Sequence, residues 1–250
     1  MLKSSASTAI LVEKFTLTDN TINNHQIISA VNSKTPKIMA SLAKLMTVML
    51  VWDKAAQASI DLETTLTDIP VGLLKGSSKY YQFYEQNEKV PLLTLIKSTL
   101  IASSNEAALA LACWHSGSEQ NFIPMMIQKA YFMGLKQSYW VSSSGLDNKS
   151  YTCAQDMSIL SKIFVSQYPD LAKYCALKYF EHNGKRVHNT NRLIHSKSNV
   201  QGLKTGNFLG IGSNLINYWT VGDIHYLSIV LGADNRTKCY KYSELIMYLD

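Results

Sequence analysis

Ser41 and Lys44 are the first residues whose types and spacing indicate chemistry. They lie three residues apart, so on a helix they would face the same side. A serine hydroxyl is a weak nucleophile until a neighbouring base removes its proton. A lysine can be that base only when burial or nearby positive charge lowers its pKa. Taken alone, the pair is more simply explained as a helix cap and a solvated lysine.

A second polar string, Ser103-Ser104-Asn105, precedes the alanine-rich run from Ala107 to Ala112 and predicts the start of another helix. Helix capping is the ordinary explanation of such a string. The catalytic interpretation is that Ser103 passes a proton between Lys44 and a leaving group, while Asn105 offers its amide to a substrate backbone.

The third string, Lys204-Thr205-Gly206, lies in a predicted strand that begins near Val200. Two β-rich runs follow it, Ile211–Trp219 and Tyr226–Leu231, separated by Gly222-Asp223. The pattern predicts a meander of three strands. Lys204 would supply positive potential, Thr205 a hydroxyl for a carboxylate, and Gly206 room for close approach of another chain. The alternative is an exposed Lys-Thr pair beside a glycine bend.

An apolar-periodic helix is predicted to position the first pair. Its apolar residues are Leu42, Leu45, Met46, Met49 and Leu50. Ser41 would then lie in the first turn, where the helix field favours developing negative charge. Three such strings, in this order and in these helix and strand contexts, favour one acyl-transfer site over three unrelated structural features.

The three strings resemble the active-site motifs of the serine-type D-Ala-D-Ala carboxypeptidases, which are low-molecular-mass penicillin-binding proteins. The resemblance extends from about residue 5 to residue 249. It includes Lys75-Gly76-Ser77-Ser78, Ser144-Gly145-Leu146-Asp147, Asn189-Thr190-Asn191-Arg192-Leu193 and Val230-Leu231-Gly232-Ala233. Two residues depart from the common pattern, since Ser104 stands where glycine is frequent and Asn207 where histidine is frequent.

The resemblance implies a set of site residues. The catalytic ones are Ser41, Lys44, Ser103, Asn105 and Lys204, and the substrate-binding ones are Thr205, Gly206, Asn207 and Arg236. In the implied reaction, Ser41 attacks the carbonyl of the penultimate D-alanine of a peptidoglycan stem peptide, and Lys44 accepts its proton. The backbone N–H groups of Ser41 and Asn207 hold the oxyanion. Ser103, with Lys204 nearby, protonates the departing D-alanine.

The resemblance further implies that Thr205 binds the free carboxylate of that D-alanine, with Arg236 assisting. β-Lactams are expected to acylate Ser41, and neither a metal nor an organic cofactor is expected. Three alternatives stay open: a D,D-endopeptidase of peptidoglycan cross-links, a β-lactamase, and a non-catalytic relative that only binds peptidoglycan. Against the β-lactamase, Glu119 and Glu181 are the only glutamates between Glu106 and Lys204, and neither lies in a Glu-x-x-Leu-Asn context.

The fold implied by the resemblance is an α/β (α+β), β-lactamase/transpeptidase-like domain. A mostly antiparallel five-stranded sheet flanked by helices would join Thr8–Glu13 and Gln26–Ala30 to the three C-terminal strands. An all-helical subdomain would be inserted at about 60–155, leaving 1–59 and 156–250 as the α/β part of a single catalytic domain. We expect neither the C-terminal β domain nor the membrane anchor of many family members.

Composition narrows the class of partner. The net charge is +6 and the pI is near 9.0. Because the basic residues are scattered along the sequence, they favour an ordinary solvated surface over a continuous basic surface that binds nucleic acid. No segment is long and apolar enough to span a bilayer, and no signal peptide is visible. Because the implied substrate lies outside the cytoplasmic membrane, we expect a periplasmic or exterior protein whose signal peptide has been removed.

The cysteines and histidines predict no metal site. The four cysteines form no C-x-x-C pair and are expected to be free and partly buried. Three histidines, His182, His188 and His195, lack a metal-ligand spacing. His182-Asn183-Gly184-Lys185 predicts a hairpin turn. The aromatic run Tyr80, Tyr81, Phe83 and Tyr84 is expected to pack, with a place near the active-site mouth as the alternative.

Overall fold

The computed structural model describes residues 8–70, 84–85, 88–208 and 210–248. The Lys75-Gly76-Ser77-Ser78 segment and the aromatic residues Tyr80, Tyr81 and Phe83 lie outside these residues. The strands are β1 (Ala9–Thr18), β2 (Thr21–Val31), β3 (Lys37–Ile38), β4 (Leu66–Asp68), β5 (Lys89–Pro91), β6 (Tyr151–Thr152), β7 (Tyr179–His182), β8 (Lys185–His188), β9 (Val200–Phe208), β10 (Gly212–Val221) and β11 (Ile224–Ala233). The helices are α1 (Lys44–Gln57), α2 (Leu92–Lys97), α3 (Asn105–Ser116), α4 (Glu119–Phe132), α5 (Ala154–Gln167), α6 (Pro169–Cys175), α7 (Leu193–Ser196) and α8 (Arg236–Ile246).

Five strands form the main antiparallel sheet, in the order β2-β1-β11-β10-β9. The predicted C-terminal meander is therefore confirmed, and both N-terminal strands join it, each longer than the sequence pattern indicated. β9 is an edge strand. Its Lys204-Thr205-Gly206 string pairs with residues 214–216 of β10, and within the described residues no strand pairs with the other edge of β9, which leaves that edge's backbone groups available to an extended ligand.

The two faces of the sheet bury different side chains, because successive strand residues point to opposite sides. In β1, Ala9 and Leu11 belong to the larger core with α1, α3 and α5. Ile10 and Val12 belong to a second cluster that includes Cys239 and Ile246 of α8. Helix α1 is buried along most of its length, which holds its N-terminal end firmly against the rest of the fold.

The described part of the inserted segment contains the helices α2, α3 and α4 but is not all-helical. It also contains β4 and β5, a short antiparallel ladder in which Leu66 is opposite Pro91. These strands have three residues each, too few for an alternating pattern to be recognised in the sequence. We keep the division into an α/β part and an inserted part as a proposal.

The predicted hairpin is confirmed between β7 and β8. Asn183 and Gly184 both have positive φ, 49° and 72°, as a two-residue type I′ turn requires. The four cysteines are free, and three of them are buried. Tyr84 is buried against His182. Within the described ranges, no helix has the length and apolar character needed to cross a bilayer, and no cluster of three metal-ligating side chains occurs.

Candidate active site

Ser41 and Lys44 are brought together where a 3₁₀ turn, Ala40–Ala43, runs directly into α1. Lys44 Nζ lies 2.9 Å from Ser41 Oγ. The N-cap positions of the turn and of α1 are Met39 and Ala43, so Ser41 does not cap either element. Lys44 has no exposed surface. The structure therefore excludes the simpler explanation of a capping serine and a solvated lysine.

Three oxygen atoms surround the amine of Lys44. Besides Ser41 Oγ, they are Asn105 Oδ1 at 2.8 Å and the carbonyl oxygen of Ser144 at 2.6 Å. The last two can only accept hydrogen bonds. A neutral amine has two N–H donors and one lone pair, so donation to Asn105 and Ser144 leaves the lone pair directed at the Ser41 hydroxyl. This is the arrangement that a general base needs.

Burial and charge favour that neutral amine. Burial is the largest cause of a Lys44 pKa well below its ordinary value, and the positive charge of Lys204 lowers the pKa further. The Glu106 carboxylate raises it, but by less. The two conditions that the sequence argument set for a basic lysine, burial and a neighbouring cation, are both present.

Ser103 and Lys204 form a second serine–lysine pair. Ser103 follows a π-helical turn, Ser98–Ala102, and has a left-handed backbone with φ of 61°, a conformation uncommon for serine. Lys204 Nζ donates to Ser103 Oγ at 2.8 Å and to the Thr205 carbonyl at 3.2 Å. Burial lowers the pKa of Lys204 to about 7.

Within the Ser103-Ser104-Asn105 string, Ser104 is the residue that caps helix α3. Its hydroxyl accepts from the Ala107 N–H at 3.1 Å and donates to Glu106 at 2.8 Å. Because Ser104 caps α3, Ser103 and Asn105 on either side of it are held toward the two lysines. Capping and catalytic placement are thus provided by different residues of one string.

Strand β9 positions the predicted binding residues. Thr205 Oγ1 lies 2.8 Å from Thr190 Oγ1. A Cβ on Gly206 would be 3.3 Å from the Met39 carbonyl and 3.3 Å from Asn214 Nδ2. The close neighbour of Gly206 is therefore this chain's own segment before Ser41, and Asn214 fixes that segment by donating to the Met39 carbonyl at 3.1 Å.

Among the described residues, neither Asn207 nor Arg236 has a recorded hydrogen bond to the two serine–lysine pairs. Asn207 is an exposed residue of β9 opposite Ser213. Arg236 is the first residue of α8, and Tyr240 of the same helix donates its hydroxyl to the Thr190 carbonyl at 3.0 Å. Burial raises the pKa of Tyr240, and the charge of Arg236 offsets part of that rise. Within the described chain, no hydrogen bond joins Arg236 to Thr205. Its role in carboxylate binding stays a prediction.

Sequence reasoning missed the loop that supplies the Ser144 carbonyl. Ser143 donates to Glu119 Oε1 through its N–H at 2.8 Å and its hydroxyl at 2.6 Å, and its carbonyl accepts from Thr47 at 2.6 Å. Asp147 accepts from the N–H groups of residues 149 and 150. The Ser144-Gly145-Leu146-Asp147 string was the available signal, but a backbone acceptor leaves no trace in side-chain types.

A substitution at Gly145 would test whether the loop containing Ser144 sets the position of Lys44. Its φ is +69°, and a Cβ there would overlap the Ala40 carbonyl. We expect Gly145→Ala to destabilise the fold by about 2–4 kcal/mol, because strain and overlap add. Displacement of the adjacent Ser144 carbonyl should also slow any acylation of Ser41. Thermal unfolding and the acylation rate measure the two effects.

Gly134→Ala is the matched control. Gly134 has φ of +75° but nothing within 4 Å of a built Cβ. It should lose only about 1 kcal/mol, from backbone strain alone, and keep the acylation rate of the unchanged protein. Equal effects of the two substitutions would refute a positioning role for the loop.

Comparisons with known proteins agree with this geometry. The profile of the D-alanyl-D-alanine carboxypeptidase family matches residues 2–235. D-alanyl-D-alanine carboxypeptidase DacC of Escherichia coli is 33% identical over 219 residues, covering 83% of this chain and 54% of that protein. DacA of the same species is 31% identical over 222 residues, covering 84% and 54%. The chain thus spans about half the length of these curated relatives.

Solved structures show the same fold. Penicillin-binding protein 6B from Escherichia coli matches with a TM-score of 0.85 and 25% identity, over 100% of this chain and 78% of that one. Penicillin-binding protein D2 from Listeria monocytogenes, in an ampicillin-bound form, also has a TM-score of 0.85 and 25% identity, and covers 100% and 98%. The β-lactamase/transpeptidase-like fold is therefore confirmed. With a family profile matching most of its length, this chain belongs to the D-alanyl-D-alanine carboxypeptidase family.

Proposed function

We propose that this protein is a serine D-alanyl-D-alanine carboxypeptidase that removes the terminal D-alanine from peptidoglycan stem peptides. The observation that carries the proposal is the placement of Lys44, fully buried, with its amine 2.9 Å from Ser41 Oγ and held by two obligate acceptors. Such a nucleophile and base are the requirement for forming an acyl-enzyme.

In the acylation step, Lys44 takes the proton of the Ser41 hydroxyl while Oγ bonds to the carbonyl carbon of the penultimate D-alanine. The carbonyl electrons move to oxygen, where the backbone N–H groups of Ser41 and Asn207 stabilise the charge. Loss of one such donor typically costs about 10²–10³ in rate. When the tetrahedral intermediate collapses, the C–N bond to the terminal D-alanine breaks.

The leaving nitrogen needs a proton, and Ser103 delivers it. Ser103 Oγ accepts from Lys204 at 2.8 Å, so the cation both orients the hydroxyl and makes it a better donor. The proton that Lys44 received replaces the one given by Ser103, which returns Lys44 to the neutral form. Lys44 can then activate the water that hydrolyses the ester on Ser41.

Binding of the terminal D-alanine carboxylate falls to Thr205, with the charges of Lys204 and Arg236 nearby. No step of this scheme needs a metal or an organic cofactor. We further propose that the protein acts outside the cytoplasmic membrane, where stem peptides lie, and that β-lactams acylate Ser41 because their strained amide imitates the D-Ala-D-Ala bond. The ampicillin complex of the Listeria relative supports the last point.

Three measurements on the purified protein test the function. They are release of D-alanine from a soluble pentapeptide, cleavage of a cross-linked peptide dimer, and intact mass after incubation with penicillin. We expect D-alanine release and a long-lived adduct of one penicillin. Cleavage of cross-linked dimers without D-alanine release would identify an endopeptidase, an activity named in a relative from Pseudomonas aeruginosa.

The remaining outcomes reject the proposal. Rapid consumption of penicillin without a lasting adduct would identify a β-lactamase. No adduct and no turnover would mean that the two serine–lysine pairs are inactive, leaving a peptidoglycan-binding role.

A further inference from the structure

A cavity of about 390 Å³ opens just beyond the end of β9. Most of its wall is apolar, and two charged side chains also line it. Its lining includes Lys37, Ile38, Tyr151, Phe208, Ile211 and Asp234. None of these residues takes part in the scheme proposed above, although the cavity adjoins the residues that do.

Two connections place the cavity beside the nucleophile. Phe208 directly follows Asn207 on β9. Asn214, which also lines the cavity, donates to the carbonyls of Ile38 at 2.9 Å and Met39 at 3.1 Å, three and two residues before Ser41. The cavity therefore starts within a few residues of the proposed oxyanion site.

The proposed chemistry sets which part of a substrate reaches the cavity. The leaving D-alanine carboxylate lies at Thr205 and the reacting carbonyl at Asn207, so the substrate runs along the open edge of β9 in that direction. Its acyl part continues past Asn207 toward Phe208. A side chain that precedes the penultimate D-alanine would then meet the mouth of the cavity.

The charges favour an anion there. Asp234 is already neutralised by Lys238, whose Nζ lies 2.6 Å from its carboxylate. The stem of Lys37 passes over Gly232, where a Cβ would come within 3.0 Å of Lys37 Cδ. Glycine at 232 thus leaves room for this lysine. Among the described residues, the Lys37 ammonium has no recorded ion pair or side-chain hydrogen bond, so it is available to an anionic group of a ligand.

We infer that this cavity binds a side chain of the acyl donor that ends in a carboxylate, with the aliphatic part against Ile38, Phe208 and Ile211 and the carboxylate on Lys37. The inference rests on the proposed function, since it uses the direction of the substrate along β9. It adds to that function a preference for donors with an anionic, aliphatic side chain next to D-Ala-D-Ala.

Matched tripeptide donors test the preference. One is N-acetyl-2-aminoadipyl-D-Ala-D-Ala, and the other carries the side-chain amide in place of the carboxylate. We expect kcat/KM for D-alanine release to be about 10-fold higher for the carboxylate, because a charge-assisted hydrogen bond is gained. In Lys37→Met, which keeps the stem over Gly232, the ratio should fall to near one, and Lys37→Arg should retain it.

Lys34→Met is the control for general electrostatics, because Lys34 is an exposed cation three residues away that does not line the cavity. It should keep the ratio. A ratio near one in the unchanged protein, or the same loss in Lys34→Met as in Lys37→Met, would overturn the inference.

A second readout separates this inference from the proposed function. Two cephalosporins whose acyl side chains differ only in a terminal carboxylate or amide acylate Ser41 at rates that intact mass can follow. Preference for the carboxylate, lost in Lys37→Met, would support the subsite even if no donor peptide were hydrolysed. Hydrolysis of both peptides at equal rates, with equal acylation by the two drugs, would retain the proposed function and reject the subsite.

Discussion

Replacing Ser41 by alanine is expected to abolish the penicillin adduct and to lower kcat for D-alanine release by about 10⁴–10⁶-fold. The physical reason is that Ser41 Oγ is the atom that forms the bond, and Lys44 has no other hydroxyl within its recorded contacts. Intact mass spectrometry measures the adduct, and a coupled D-alanine assay measures turnover.

Ser104→Ala is the matched control for this substitution. Ser104 belongs to the second motif but caps α3 through Ala107 and donates to the buried Glu106 carboxylate, so its loss should cost about 2–4 kcal/mol of stability and leave the adduct intact. Both variants should keep a cooperative unfolding transition. An adduct of unchanged mass and rate on the Ser41→Ala protein would reject Ser41 as the nucleophile.

The pH dependence of kcat/KM is expected to be bell-shaped, with limbs set by two lysines. Catalysis needs neutral Lys44, so the rate rises as pH increases through the lowered pKa of Lys44. It also needs cationic Lys204, so the rate falls as pH passes the Lys204 pKa of about 7. Profiles of kcat/KM report these groups in the free enzyme.

Lys204→Arg separates the two limbs. An arginine stays protonated throughout the range, so the descending limb should disappear while the ascending limb remains. The overall rate should also fall, because the larger planar guanidinium places its donors differently from the ammonium of Lys204 that donates to Ser103. An ascending limb at or above the ~10.4 of a free lysine would rule out Lys44 as the base.

Local sequence patterns predicted the elements that have strong periodicity or specific turn residues. The Asn183-Gly184 turn followed from the positive φ values that only such residues adopt readily. Helix α8 begins at Arg236 because Asn235 caps it by accepting from the Lys238 N–H at 2.9 Å. Because α8 has little apolar periodicity, the sequence indicates its first residue only weakly.

By themselves, the residue types and their order along the chain predicted that Ser41, Lys44, Ser103 and Lys204 belong to one site, for which we propose acyl transfer. Sequence spacing explains a contact only between Ser41 and Lys44, which lie three residues apart on one turn. The other contacts join residues 61 to 101 positions apart, from Lys44 to Asn105 and Ser144, and from Ser103 to Lys204. No local pattern encodes such contacts.

Only the tertiary structure decided which protonation states the two lysines favour. The sequence shows two ordinary lysines, whose pKa values would be near ~10.4 in water. Packing of the 3₁₀ turn Ala40–Ala43 against β9, and of α1 against α3, buries both lysines. Burial and the nearby positive charge of Lys204 lower the pKa of Lys44 well below that value, and burial lowers the pKa of Lys204. Burial and proximity are properties of the folded chain, and they make one lysine a base beside a second that remains a cation up to about neutral pH.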